Sequence, residues 1–208
     1  PALVYISQPT EYGTLYSLQE LEELSAVCRE RDLKLFVDGA RLAYALASPA
    51  NDVTLADLAR LTDVFYIGGT KCGSLFGEAV VIPERGSIRQ FVTQMKQHGA
   101  LLAKGRLLGV QFEALFEDGL YLTIGEPAVK ATARIREALK RAGYVVTMDS
   151  PTNLTFVALD QAGHERLSDK VRYSIWETLP DGRYLARIGT SWATPEEDVV
   201  AFEQALVR

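Results

Sequence analysis

Two short apolar runs near the start of the chain, Ala2-Leu3-Val4-Tyr5-Ile6 and Leu33-Lys34-Leu35-Phe36-Val37, bracket a segment that carries its own helix signal. Ser17 followed by Glu20 is a capping box, in which each residue satisfies a free backbone donor of the first turn. Leu18, Leu21, Leu24, Val27 and Cys28 then recur at helical spacing, so residues 17–31 form an amphipathic helix with Cys28 as a small core residue. A strand, a helix and a strand of these lengths close as a right-handed crossover with parallel strands. That unit commits the chain to an α/β class and brings the carboxyl ends of its strands to one edge, where open sheets of this kind bind ligands.

The pattern continues. A short helix near residues 41–47 and a second at 54–61, capped by Thr54, lead to a third strand, Asp63-Val64-Phe65-Tyr66-Ile67. Glu78-Ala79-Val80-Val81-Ile82 reads as a fourth. Residues 68–77 are too few for a parallel crossover, which takes roughly a dozen or more, so this strand is expected to be antiparallel. Residues 87–116 read as helical with breaks at Gly99 and Gly105, and residues 119–127 as a turn-rich hinge. Beyond it the pattern predicts a helix at 129–141, strands at 144–147 and 153–159, a helix at 165–176, a strand at 184–188 and a helix at 195–207. The expectation is a mostly parallel sheet with one antiparallel strand over residues 1–125, and a smaller α+β domain over 126–208.

Composition narrows the partners. The 208 residues are 48% hydrophobic and 24% charged, with a formal net charge of −5 and no run of lysine or arginine. Nucleic-acid and membrane surfaces are therefore not expected. No apolar stretch approaches the roughly 20 residues of a membrane-spanning helix. Cys28 and Cys72 have no metal-ligand spacing, so no metal is expected, and the default setting is reduced and cytoplasmic. The chain opens inside a strand with no initiator methionine, which reads as a piece of a longer protein.

The chemistry sits at the strand ends. Strand 33–37 runs into Asp38-Gly39-Ala40-Arg41, and strand 63–67 into Gly68-Gly69-Thr70-Lys71-Cys72-Gly73. Glycines leave the Lys71 amine accessible, and an amine attacks an aldehyde once desolvation or nearby cations lower its pKa. A solvated loop lysine is the alternative. A Walker A loop is excluded, because it needs Gly-Lys-[Ser/Thr] and a following helix. Asp38 closes an apolar run, where a carboxylate is costly to bury without a partner. A helix N-cap or a pairing with Arg41 would explain it too. Taken together, an acid for a pyridinium nitrogen and an amine for an aldehyde are what pyridoxal phosphate takes from its protein.

Val37-Asp38-Gly39-Ala40-Arg41-Leu42-Ala43 and Tyr66-Ile67-Gly68-Gly69-Thr70-Lys71 resemble signature segments of the low-specificity L-threonine aldolases. These belong to the β-eliminating lyase group of pyridoxal-phosphate enzymes with an aspartate-aminotransferase-like fold. Gln8-Pro9-Thr10-Glu11-Tyr12-Gly13-Thr14 and residues 187–199 are similar too, and the likeness covers essentially the whole chain. It implies that the chain is the C-terminal half of the cofactor-binding large domain plus the small domain. It gives Lys71 the internal aldimine, Asp38 the pyridine nitrogen, Thr70 a phosphate contact, and Arg41 and Arg187 the substrate carboxylate. Glu11 stands at or near a place where many family members carry a histidine, and reads as the base for the β-hydroxyl proton or as a spectator to a water. Lys104 and Arg106 read as a solvated helix end, with a phosphate contact across a subunit interface as the alternative. His98 and His164 read as surface or interface residues. Family members often have asparagine where Cys72 stands.

The resemblance also implies that the family's N-terminal phosphate loop and ring-stacking residue are missing, which leaves roughly half of a cofactor pocket. The expected activity is aldol cleavage of threonine or allo-threonine to glycine and acetaldehyde in a homo-oligomer, a dimer or tetramer. The alternatives are a β-eliminating lyase on a related amino acid, or a non-catalytic partner subunit that keeps the fold.

Overall fold

The computed structural model describes residues 1–207 in two compact units. The first comprises residues 1–8, 16–43 and 52–123, and the second the remaining described residues, 9–15, 44–51 and from 124 onward. In chain order the first stretch holds β1 (Leu3–Ser7), α1 (Leu18–Glu30), β2 (Lys34–Asp38), α2 (Leu42–Leu46), α3 (Leu55–Leu61), β3 (Val64–Gly68), β4 (Glu78–Val81), α4 (Phe91–Gln97), α5 (Arg106–Phe116) and α6 (Leu120–Thr123). It is followed by α7 (Glu126–Arg141), β5 (Val145–Val146), β6 (Leu154–Leu159), α8 (Gln161–Ser168), β7 (Ser174–Thr178), β8 (Tyr184–Gly189) and α9 (Glu196–Val207).

In the first unit a four-stranded sheet runs β1-β2-β3-β4. β1, β2 and β3 are parallel, and β4 pairs antiparallel with β3, as the short link before it predicts. Both capping boxes form: Ser17 with Glu20 on α1, and Thr54 with Asp57 on α3. Alternation then decides the faces. Leu35, Val37, Phe65 and Ile67 are buried, with Leu21 and Cys28 of α1 and Leu58 and Leu61 of α3. The Ser25 hydroxyl donates to the Leu61 carbonyl at 2.6 Å and ties the two helices together. Each large apolar side chain in this layer is worth about 2 kcal/mol of burial, and a one-residue slip would expose the whole set. The register is thereby fixed, and Tyr5, Phe36, Asp38 and Tyr66 are sent to the other face.

The second unit is an antiparallel sheet in the order β5-β6-β8-β7. Every residue of β6 is buried. Val157 and Leu159 pack with Ala186, Ile188, Ile135, Leu139 and Val199. Arg134 of α7 reaches Glu203 of α9 at 2.7 Å. The helix expected at 165–176 is corrected. α8 ends at Ser168 after an Asp160 cap whose carboxylate accepts from Gly163 N–H at 2.6 Å, and Ser174–Thr178 is an edge strand. Ile175, Trp176 and Thr178 are strand formers, and pairing with β8 overrides the local helical spacing. A bulge at Ile175/Glu177 marks the irregular edge. The hinge expected at 119–127 is partly helical, because α6 occupies residues 120–123 and α7 starts at Glu126 with Pro127 in its first turn. Among the described residues no helix is long and apolar enough to cross a membrane.

Candidate active site

The carboxyl ends of β2 and β3 approach backbone to backbone. Gly68 N–H donates to the Gly39 carbonyl at 2.9 Å, and Gln8 N–H to the Asp38 carbonyl at 2.8 Å. A side chain at Gly39 would strike the Tyr66 carbonyl oxygen, and one at Gly68 the carbonyls of Gly39 and Ala40. Glycine at both positions is the steric condition for two strand-end loops to lie this close. The Asp-Gly-Ala-Arg and Gly-Gly-Thr-Lys segments therefore leave the sheet side by side.

The Asp38 carboxylate is built into this edge. One oxygen accepts from the Ala40 N–H at 2.9 Å and the other from the Tyr5 hydroxyl. The Tyr66 phenol, next to Asp38 across the β2–β3 pairing, lies close enough to lower its pKa. Burial works against its charge, but the hydrogen bonds from Tyr5 and Ala40, the adjacent Tyr66 phenol and the charge of Lys71 outweigh burial. The carboxyl is held below its ordinary range. Burial, with the neighbouring carboxylate, pushes the Tyr66 phenol strongly upward, so it remains a neutral donor. The rings form a row: Tyr5 stacks on Phe36 at 5.2 Å, and Phe36 meets Tyr66 edge-on at 6.0 Å.

Lys71 and Thr70 are exposed on a loop tied down from below. Gly69 N–H donates to the Glu78 carboxylate at 2.7 Å, Thr70 N–H to the Gly77 carbonyl at 3.2 Å, and the buried Tyr121 hydroxyl to the Gly68 carbonyl at 2.8 Å. Cys72 lies under the loop, fully buried, with its sulfur 3.7 Å from the Ala40 carbonyl. Burial pushes its thiol up to about 11, so it packs as a small apolar side chain and is no nucleophile near neutral pH. Arg41, half-buried, follows Ala40 and lies near enough for its charge to act on Cys72.

The second unit holds the other two candidates. Glu11 is exposed on a tight turn. Thr10 and Thr14 pair through their hydroxyls at 2.7 Å, and Gly13, at φ +76°, takes hydrogen bonds at its carbonyl from Thr152 at 2.9 Å and Ser150 at 3.1 Å. Arg187 projects from β8 with its guanidinium 4.4 Å over the Trp176 ring. Tyr12 packs against Phe156 and Trp176 and donates to Glu177 at 3.1 Å. His164 is bonded to the Tyr173 hydroxyl at 2.8 Å, His98 is exposed, and so are Lys104 and Arg106.

Asp38 and Lys71, with Arg41 and Thr70 on the same two loops, thus share one edge of the first unit. Glu11 and Arg187 belong to the second. Sequence reasoning missed Tyr5, Tyr66 and Trp176. The signal for the tyrosines was present: both sit at even spacing from their strand ends, on the face Asp38 must occupy. Trp176 was hidden by the wrong helix.

Comparison with known proteins adds the ancestry. A family model described as β-eliminating lyase matches residues 1–162. The low-specificity L-threonine aldolase of Pseudomonas sp. (strain NCIMB 10558) is 39% identical over 204 residues, 96% of this chain and 57% of that protein. A solved threonine aldolase structure from Leishmania major is 46% identical with a TM-score of 0.94, covering 100% of this chain and 61% of that one. Aspartate aminotransferase from Thermus thermophilus, at 17% identity, shares the fold with a TM-score of 0.70, covering 99% of this chain and 56% of that one. The chain spans a little over half the length of the curated threonine aldolase it matches.

Proposed function

This chain belongs to the β-eliminating lyase family, and from that premise we propose that it serves a pyridoxal-phosphate-dependent aldol cleavage in which threonine or allo-threonine gives glycine and acetaldehyde. The observation that carries the reading is the ionised Asp38 within electrostatic reach of Lys71 at the carboxyl edge of two parallel strands. The relatives named threonine aldolase support the substrate class.

The donor set fits the coenzyme. A carboxylate held charged by neutral donors suits a protonated pyridine nitrogen, and an exposed loop amine suits an aldehyde. When bound, the coenzyme supplies an electron sink for the bond broken at the substrate α-carbon. We assign Lys71 the covalent attachment, Asp38 the ring nitrogen and Thr70 the phosphate. Arg41 and Arg187 receive the α-carboxylate, for which a planar fork gives bidentate contact. Glu11 accepts the β-hydroxyl proton, directly or through a water. Residues 1–125 are read as part of the cofactor-binding domain and 126–208 as the small domain.

We place the protein in the cytoplasm as a homo-oligomer, dimer or tetramer. Both cysteines are free and buried. Leu75 is 86% exposed and Leu102 54%, apolar surface that association covers; sedimentation at micromolar concentration is expected to give a dimer or larger.

The deciding experiment loads the full-length protein with pyridoxal phosphate, traps the adduct with borohydride and maps it. Label on Lys71, with glycine and acetaldehyde released from threonine, is the expected result. Pyruvate and ammonia from serine or cysteine would move the assignment to β-elimination, the reaction in the family's own description. No adduct on the native protein would leave a partner subunit without turnover.

A further inference from the structure

The acid at the end of β2 is served by more donors than a lone cofactor contact needs, and they come from different strands. Tyr5 donates to it from β1 and the Ala40 N–H from its own loop, and the Tyr66 phenol stands beside it from β3. Parallel register aligns Tyr5 with Phe36, two residues before Asp38, so strand alternation puts the phenol and the carboxylate on one face. Two neutral donors, the Tyr5 hydroxyl and the Ala40 N–H, each take one carboxylate oxygen, and the Tyr66 phenol stands beside them. The cation whose charge acts on this carboxylate is Lys71, on the next loop.

We infer that the phenols of Tyr5 and Tyr66 are positioning residues that aim the Asp38 carboxylate at a protonated ring nitrogen. The inference rests on the pyridoxal-phosphate reading above. The two phenols act alike in chemistry and differ in setting. Tyr66 is half-buried and edge-packed on Phe36, which fixes its hydroxyl. Tyr5 is 55% exposed and stacked flat on the same ring. Among the described residues, the groups that act on the carboxylate include two neutral phenols, one amide and one ammonium. A simple tether of the edge strand would use the same hydrogen bonds without caring what ligand arrives.

The test separates those roles. The full-length protein and its Tyr5→Phe, Tyr66→Phe and double variants are titrated with pyridoxal phosphate and with its deaza analogue, in which a C–H replaces the ring nitrogen. Pyridoxal phosphate is expected to bind about tenfold more weakly per phenol removed, the loss of one hydrogen bond to a charged group. The deaza analogue is expected to bind no worse, and the acid limb of pyridoxal phosphate binding to move to higher pH. Equal weakening of both ligands with an unmoved acid limb would reduce the phenols to a tether and overturn the inference, as would unchanged binding of both. Tyr5→Phe, at an exposed position, keeps the test open if Tyr66→Phe unfolds. If the native protein binds neither ligand at Lys71, the cofactor reading itself fails and the inference falls with it.

Discussion

Asp38 and Asp63 stand at opposite ends of neighbouring strands, and both carboxyls are held below their ordinary range although burial opposes the charge. Their partners differ. Asp63, just before β3, accepts from the Leu35 N–H at 2.9 Å and from the Lys34 ammonium at 3.0 Å. Its charge is met by contact with a cation on the adjacent strand. Asp38 is met by the Tyr5 phenol and an amide, with the Tyr66 phenol beside them and the charge of Lys71 acting from the next loop. One cavity, of about 440 Å³, lies at the Asp63 end, lined by Cys28, Arg29, Lys34 and Glu84 among others. A hollow beside a neutralised carboxylate is structure. A charge kept alive by neutral donors at the carboxyl edge is the better mark of chemistry.

Substitutions sharpen the contrast in decreasing order of effect. Lys71→Ala is expected to abolish the borohydride-trapped adduct and turnover, read by peptide mapping and by acetaldehyde release. Asp38→Asn is expected to lower turnover on the order of a thousandfold, about 4 kcal/mol of transition-state stabilisation, with the thermal midpoint nearly unchanged. Near-normal turnover would remove Asp38 from the chemistry. Arg187→Lys is expected to raise KM about tenfold with kcat retained, because a bidentate fork becomes a point charge.

The structural end responds differently. Asp63→Asn is expected to cost about 1 kcal/mol in urea unfolding, mostly the hydrogen bond to Leu35 N–H, and to leave kinetics alone. The Asp63 pKa is lower folded than unfolded, so its contribution is present above about pH 4, the unfolded carboxylate value, and is lost as pH falls through the folded value. The gap between wild type and variant should therefore close on acidification. A gap that stays constant would disconnect Asp63 from the acid limb. Lys34→Ala is expected to cost only a few tenths of a kcal/mol, shrinking with salt, because the pair is exposed and screened.

These outcomes bear on how much the chain announces in advance. Strand 33–37 and strand 63–67 were legible to within one residue of β2 and β3, because period-two burial and two capping boxes are local signals. The antiparallel turn of β4 was legible from link length alone. β7 was not. Its apolar residues fit either period over so short a run, and only pairing with β8 chose the strand. With that strand misread, Trp176 and its place beneath Arg187 went unseen.

The two strand-end motifs determine by themselves that an acid and an amine leave neighbouring parallel strands, since alternation, capping and glycine are properties of short segments. What the tertiary structure decided is the state of those groups. Whether Asp38 keeps its charge depends on hydroxyls from Tyr5 and Tyr66, one 33 residues upstream in sequence and the other on the next strand. Whether Cys72 reacts depends on the loop folded over it. Hydrogen bonding and desolvation act over a few ångströms of space, and only the folded chain sets which residues lie within that distance.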